Sequence, residues 1–306
     1  MDSAWTLSIA GVAIVSLVPV LRRLRRGLRG TALLSAWNWA AVAWLAWLIA
    51  LLVSAAPRVT EGIVWISWYV VAVLALTPPI AVLGARRPTS RVWTCFVLVP
   101  LVLVFTWPIL TALHSGQALR TFHLEEPLLA GYGLVLVMGA GNYLALRYSL
   151  AALLWMVGLL AVVLPLCPTT ARWMLDAENG RFWGTICLAA AGWIADRLAT
   201  RGGRRASGGR PALDRVWHDF RDLFGIVWSR RVQERFNDQA RQTALPLRLG
   251  WDGLEPAAEA VQGTAFDPES LAGAEKLLRW LLQKFVDPAW IDQRLRPAAP
   301  HLKQND

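Results

Sequence analysis

The side chains best suited to chemistry lie around the ends of long apolar stretches. His114 and His123 belong to one polar segment, which also contains Arg120, while Cys167 ends a later apolar run and Arg172 follows it. A thiol, an imidazole and a guanidinium on one surface can act as nucleophile, base and oxyanion stabiliser. These residue types therefore raise the hypothesis of a thiol enzyme at a membrane surface.

Exosortase-type membrane transpeptidases use such a set, but the residues around the thiol do not match them. Cys167 stands in Leu-Pro-Leu-Cys-Pro and lacks the Ser-Gly that is expected after such a cysteine. The same polar segment offers His123, Glu125 and Glu126 as metal ligands, yet no third site supplies further ligands. The sequence therefore assigns no catalytic residue, no cofactor and no metal, and it favours a protein that is not an enzyme.

The composition is that of a membrane protein. Of 306 residues, 56% are hydrophobic and 17% charged, and 18 are tryptophan; the mean hydropathy is +0.41. These values exclude a disordered chain, a coiled coil and an ordinary cytosolic enzyme. Uncharged runs of the length that a bilayer-spanning helix needs occur at residues 4–20, 31–54, 62–84, 92–113, 127–146, 149–167 and 182–197.

The arginines predict the orientation of these runs. Loops after the first, third, fifth and seventh runs carry ten arginines, whereas the other side carries four among acidic residues. By the positive-inside rule, the N-terminus lies outside and the C-terminal third lies in the cytoplasm. The sequence thus predicts an all-α fold: a polytopic bundle of about seven transmembrane helices with a small cytoplasmic helical domain.

The apolar runs lack the groups that most membrane chemistry requires. No acidic residue, lysine or histidine lies in the middle of a run, and the first lysine of the chain is Lys276. A retinal Schiff base is therefore excluded, and an ion-coupled transporter is disfavoured. Asn142 and several prolines remain, and they are read either as interhelical bonds and kinks or as the pocket of a transporter.

Three regions are predicted along the chain: a transmembrane bundle at 1–199, a basic flexible linker at 200–210 and a helical domain at 211–306. Four linker arginines lie beside the membrane, where anionic lipids attract basic residues: Arg201, Arg204, Arg205 and Arg210. No nucleic-acid recognition element accompanies them. The partners predicted here are the bilayer with its anionic lipids and, at the helical domain, a protein.

An amphipathic helix is expected at about residues 212–240. Its apolar positions recur every three and four residues, and the bulkiest of them are Trp217, Phe220, Phe224 and Trp228. This stripe packs on the domain's own core, on the membrane surface or on a partner. Residues 243–266 fit a short strand or an extended loop, and Asp267-Pro268 and Asp287-Pro288 each open a further helix.

Three stretches resemble a known kind of protein: Leu83-Gly84-Ala85-Arg86-Arg87-Pro88, Gly141-Asn142-Tyr143, and the run from Trp217 to Asn237. They are similar to an uncharacterised family of polytopic membrane proteins from bacteria with Arg-rich proteomes. The resemblance implies location in the bacterial inner membrane and no known activity, so it transfers no site residues.

Three functions are consistent with the sequence. The first is an inner-membrane protein that anchors or organises a partner through its cytoplasmic domain. The second is a transporter or flippase for a neutral or lipidic substrate, built on the proline-broken helices and Asn142. The third is the outer-face thiol enzyme that uses Cys167.

Overall fold

The computed structural model describes residues 3–88, 90–114, 122–167, 176–202, 212–257 and 266–296. The chain divides into two compact units. The first unit comprises Met1–Arg29 and Leu33–Leu198, and the second comprises Gly30–Ala32 and Ala199–Asp306. The sequence places the boundary after residue 199, but it does not reveal that three residues of the first loop belong to the second unit.

The first unit is a bundle of helices. They are α1 (Ser3–Val15), α2 (Val18–Gly27), α3 (Leu34–Ala55), α4 (Glu61–Ala75), α5 (Thr77–Leu83), α6 (Ser90–Trp93), α7 (Val99–His114), α8 (Glu126–Gly141), α9 (Ser149–Val163) and α10 (Ala177–Gly202). A π-helical turn at Thr94–Leu98 joins α6 to α7, and a 3₁₀ turn at Leu164–Leu166 follows α9.

Five helical segments of the described chain are long and apolar enough to cross a bilayer. They are Trp5–Gly27, Leu34–Ala55, Glu61–Leu83, Thr94–His114 and Ser149–Leu166. Each overlaps one of the apolar runs in the sequence, which supports the prediction of membrane-spanning helices. The runs at 127–146 and 182–197 do not meet the same criterion.

The two remaining runs depart from the prediction for different reasons. The first forms only the 16-residue helix α8, which ends at Gly141 because the Gly-Asn pair that follows favours a turn. The second lies within α10, whose 26 residues extend about 39 Å. Charged residues at both ends of α10 lower its hydropathy, although its middle is apolar.

Close backbone packing joins α10 to α9. A side chain at Gly184 would lie 2.7 Å from the carbonyl oxygen of Gly158, and one at Gly180 would collide with that of Ala161. Gly180 and Gly184 are four residues apart, so they lie on one face of α10. Small residues at this spacing let membrane helices approach closely, which here makes α10 an integral part of the bundle.

Aromatic side chains with satisfied polar groups fill the core of the bundle. The Trp47 indole donates a buried 2.9 Å hydrogen bond to the Thr185 hydroxyl, and the Tyr69 hydroxyl donates to the Phe105 carbonyl oxygen at 2.7 Å. The Tyr132 hydroxyl donates to the Ala72 carbonyl oxygen at 3.1 Å. Burying such rings stabilises the fold only because each N–H or O–H group finds an acceptor.

The described residues of the second unit form three helices and a hairpin: α11 (Ala212–Gln242), β1 (Leu247–Gly250), β2 (Gly253–Pro256), α12 (Pro268–Leu282) and α13 (Pro288–Leu295). The hairpin corrects the all-α prediction for this part of the chain. Asn237 on α11 holds the hairpin, since its side chain accepts from the Leu249 amide at 2.7 Å and donates to the Leu249 carbonyl at 3.0 Å. Asp214 likewise accepts from the Leu254 amide at 2.8 Å.

A short strand from the first loop completes the second unit. Thr31 pairs antiparallel with Val286, while the Ala32 amide donates to the Phe285 carbonyl oxygen and the Asp287 amide donates to the Gly30 carbonyl oxygen, each at 2.7 Å. Thr31 and Val286 are 4% and 0% exposed. Residues 30–32 are therefore part of the core of this unit.

Candidate functional site

The segment before α8 is extended and alternates in exposure. Phe122 and Leu124 are buried, whereas His123 and Glu125 are exposed. The Leu124 amide donates a 2.9 Å hydrogen bond to the Leu166 carbonyl oxygen, which fixes the segment against the turn after α9. Alternation along an extended segment turns the His123 and Glu125 side chains to the same side.

These two side chains stand at the rim of a groove of about 970 Å³. Its wall is the face of α7 that carries Val104, Trp107 and Thr111, and Phe122 and Leu128 close it from the other side. Val104 and Trp107 are 63% and 64% exposed, so the wall is an apolar surface at the level of the spanning helices. The groove thus combines an apolar wall with an imidazole and a carboxylate at one end.

The thiol does not belong to this groove. Cys167 is 1% exposed and lies in the core, whereas His123 points outward from the adjacent segment. Although the Leu124–Leu166 hydrogen bond brings the two backbones together, the Cys167 side chain is buried and the His123 side chain is exposed. Arg120 and Arg172, the guanidinium groups of the enzyme hypothesis, lie outside the described residues. The part of the chain that is described offers no accessible nucleophile at Cys167.

The metal hypothesis gains no support from the arrangement of the acidic residues. In the described ranges, no three histidine, cysteine or acidic side chains come together in a way that could hold an ion. Glu125 and Glu126 stand at the first residues of α8, where negative charge is favoured by the helix dipole. Their position is explained by the helix without an ion.

Asn142, the polar residue of the transporter hypothesis, is 3% exposed and buried at the far end of α8. It does not line the groove, whose contact with α8 is at Leu128. The groove is therefore a lateral feature of the bundle surface, and it does not extend to Asn142 through the core.

Two charged clusters that sequence reasoning missed hold α10 in the bundle. At its start, the Arg181 guanidinium lies 4.3 Å from the centre of the Trp65 ring, and Arg181 also interacts electrostatically with Glu61 and Glu178. The sequence does contain a signal for this cluster, because Arg181 is the first basic residue in α10 and the next is Arg197. The three charged side chains sum to −1, and the attraction of Arg181 to Glu61 and Trp65 links the start of α10 to α4.

At the other end of α10, Asp196 is 5% exposed. It accepts two hydrogen bonds from the Arg23 guanidinium, at 3.0 and 2.6 Å. Arg23 also lies over the Trp193 ring, 5.9 Å from its centre. A bidentate pair of this kind fixes both distance and orientation, so α2 and α10 are joined at this point.

The aromatic stripe of the second unit forms its core. Trp217, Phe220 and Phe224 are 0% exposed and Trp228 is 7% exposed. Phe285 is inserted among them, with ring centres 5.3 Å from Phe220, 5.4 Å from Phe224 and 4.9 Å from Trp228. The stripe therefore offers no surface to a partner.

The four linker arginines cannot be placed beside these sites. Arg204, Arg205 and Arg210 lie outside the described residues, and of Arg201 only the backbone, at the end of α10, is described. Helix α10 continues to Gly202, so the first residues of the predicted linker are helical. Their contact with anionic lipids stays a prediction.

The comparisons with known proteins identify no relative. No family model, no curated protein and no solved structure matches the chain. The resemblance to uncharacterised bacterial membrane proteins therefore stays a prediction, and the function is argued from the geometry alone.

Proposed function

We propose that this protein is a multi-pass membrane protein that binds a lipid-like amphiphile in the groove between α7 and α8. The observation that carries the proposal is the joining of an apolar, outward-facing wall at Val104 and Trp107 to a polar rim at His123 and Glu125. An acyl chain gains by covering the wall, while a polar head gains hydrogen bonds at the rim.

The charge of the rim narrows the class of ligand. The Glu125 carboxylate disfavours an anionic headgroup, and its neighbour Glu126 adds to that effect. A headgroup that carries hydroxyl or amine donors, with no net negative charge, suits Glu125 and His123 best. This places the proposal closest to the hypothesis of a protein that handles a neutral or lipidic substrate.

The experiment blocks the groove with a large side chain. Thr111→Trp should reduce the lipid retained by the purified protein, as measured by native mass spectrometry, and should reduce labelling by a photoactivatable lipid. Val137→Trp is the matched control, because Val137 is 57% exposed on α8 and does not line the groove. Equal lipid retention and equal labelling in the two variants would contradict the proposal.

The proposed topology has seven spans, with α8 and α10 added to the five long apolar helices. Residues 30–32 and 285–287 pair within one unit, which requires an even number of crossings between them. Because α3, α4–α5, α6–α7 and α9 provide four crossings, α8 and α10 must both cross or both stay on one side. The 26-residue length of α10 and its glycine contacts with α9 support crossing.

The proposed orientation keeps the N-terminus outside and the C-terminal unit in the cytoplasm of a bacterium. The strand at 30–32 follows directly on the arginines of α2, and those arginines favour the cytoplasmic side. Reporter fusions after residue 296 and within 142–148 test both parts. A C-terminal fusion active only outside the cytoplasm would reverse the orientation, and a 142–148 fusion on the outer side would contradict the crossing of α8.

The other two hypotheses from the sequence are weakened by burial. Partner organisation by the C-terminal unit was inferred from its amphipathic helix, and the stripe on that helix is occupied by the unit's own core. The thiol enzyme required access to Cys167, which the described structure encloses. Partner binding stays a prediction without a surface assigned to it.

A further inference from the structure

The end of α12 and the turn that follows it combine an exposed tryptophan with two lysines. Trp280 is 51% exposed, and Lys276 lies one helical turn before it. Lys284 lies four residues after Trp280, in the turn beyond the helix end at Leu282. The Lys284 ammonium is 6.0 Å from the centre of the Trp280 ring. Lysine is rare in this chain, where it occurs only at 276, 284 and 303. Two of the three therefore flank one exposed indole.

Two acidic side chains near this face share one guanidinium. Arg279, the residue before Trp280, forms ion pairs of 2.7 Å with both Glu275 and Asp292. These three side chains sum to a charge of −1, so the two ammonium groups leave the face with a net positive charge of one. The face presents an apolar ring between positive charges, which is complementary to a negatively charged surface.

Chain connectivity keeps this face close to a membrane. Lys284 is two residues from Val286, which pairs with Thr31. Thr31 lies four residues after the end of the apolar helix Trp5–Gly27 and three before the start of Leu34–Ala55. The reach of so short a chain sets an upper limit of about 25 Å between the Lys284 backbone and the end of a spanning helix.

We propose that the face made of Lys276, Trp280 and Lys284 rests on the headgroups of anionic lipids in the membrane that the first unit spans. Indole rings concentrate at the boundary between the apolar core and the headgroups. Lysine stems cover apolar surface while their ammonium groups reach anionic headgroups. The site is distinct from the groove at α7 and from the linker arginines, and it assigns the second unit a membrane-contacting side.

The test uses the full chain in nanodiscs of phosphatidylcholine, with or without phosphatidylglycerol. A spin label is attached at position 280 through Trp280→Cys, in a background where Cys95, Cys167 and Cys187 are alanine. The matched control is Phe266→Cys, because Phe266 is also exposed and lies before the opposite end of α12, which begins at Pro268. Collision with oxygen, which concentrates in lipid, is compared with collision with a water-soluble nickel complex.

We expect the label at 280 to be several-fold less accessible to the nickel complex than the label at 266. The protection should increase with phosphatidylglycerol and should lose that dependence in Lys276→Gln/Lys284→Gln. Equal accessibility at 280 and 266 would overturn the proposal. So would protection at 280 that is accompanied by spin–spin broadening and insensitive to lipid charge, because that result indicates contact with a second copy of the chain.

A second measurement does not depend on the cysteine-free background. Hydrogen exchange of the amides at 276–286 in the unmodified chain should slow when phosphatidylglycerol is added, while exchange at 266–272 should not change. If neither segment responds to lipid charge, the face does not contact anionic headgroups and the proposal fails.

Discussion

Both units bury aromatic side chains, but different interactions determine which of them are buried. In the bundle, Trp47 and Tyr69 are inside while Phe96 and Leu52, which are more than 70% exposed, are outside. In the second unit the aromatic stripe is inside, and of the described charged side chains only Asp214 and Asp222 are buried. The bundle therefore distinguishes its inside from its outside by hydrogen bonds and close packing, and the second unit by hydrophobicity.

This difference determines which substitutions each unit tolerates. Water drives burial in the second unit, so the loss of apolar surface is costly there. Lipid is as apolar as the bundle core, so size and polar matching are the sensitive properties in the first unit. Substitutions with large, intermediate and small expected effects can each test this difference in sensitivity between the two units.

Removal of a core ring should have the largest effect, and it should act in the second unit. Phe220→Ala deletes a fully buried ring that contacts Trp217, Phe224 and Phe285, and such changes cost about 3–5 kcal/mol. The measurement is the urea dependence of hydrogen exchange in α11 of the full chain. Trp280→Ala, which removes an exposed ring, is the control and should cost far less; equal losses would show that burial does not govern this unit.

Adding volume should be the most damaging change in the bundle. Gly184→Leu forces α10 away from the Gly158 backbone, and overpacking of this kind costs roughly 1–3 kcal/mol or more. Thermal unfolding in detergent measures the effect. Gly133→Leu is the control, since a side chain at Gly133 meets nothing within 4 Å. Similar melting temperatures of the two variants would show that the close contact between α9 and α10 does not stabilise the bundle.

Breaking the pair between Arg23 and Asp196 should have an intermediate effect. Arg23→Ala leaves the Asp196 carboxylate 5% exposed and without its guanidinium, which destabilises a buried ionised group. We expect a lower melting temperature in detergent. Arg230→Ala removes an exposed pair with Glu234 and should have almost no effect. Equal melting temperatures of the two variants would show that the Arg23–Asp196 pair does not stabilise the bundle.

The smallest effect concerns the start of α12 and depends on pH. Hydrogen bonds from the Ser270 hydroxyl and amide lower the pKa of the Asp267 carboxylate, which caps the helix. A lowered pKa means that the cap stabilises the folded chain above the ordinary value of 3.8 and loses this effect as the pH falls through the lower value.

Exchange of the Ser270 amide should therefore accelerate in acid, and Asp267→Ala should show fast exchange at every pH. A pH-independent exchange rate in the unmodified chain, after correction for intrinsic chemistry, would contradict the cap.

Much of the architecture was accessible from the sequence, for reasons that differ between the units. The stripe at Trp217, Phe220 and Phe224 repeats every three or four residues, and the structure places it in the core of the second unit. In the bundle, α3 is apolar on every side, so no pattern distinguishes the buried Trp47 from the exposed Leu52. Periodicity predicts which residues are buried only in a helix that contains both polar and apolar residues.

The candidate site was only partly predictable for a related reason. The sequence identified the polar segment that contains His123, Glu125 and Glu126. The groove, however, depends on Trp107 and Thr111 of α7, which are brought to that segment by tertiary packing. The pairing of Thr31 with Val286 has the same origin, since nothing local in Gly-Thr-Ala marks it as a strand.

That pairing has a consequence for how the protein is made. Thr31 leaves the ribosome early, but Val286 is synthesised 255 residues later, a delay of roughly ten seconds to a minute at ordinary rates of translation. During this time the first two helices can insert, and the three residues between them remain without their partner. A chain that ends before Val286 cannot form this bridge, so the bridge can form only in a nearly finished polypeptide.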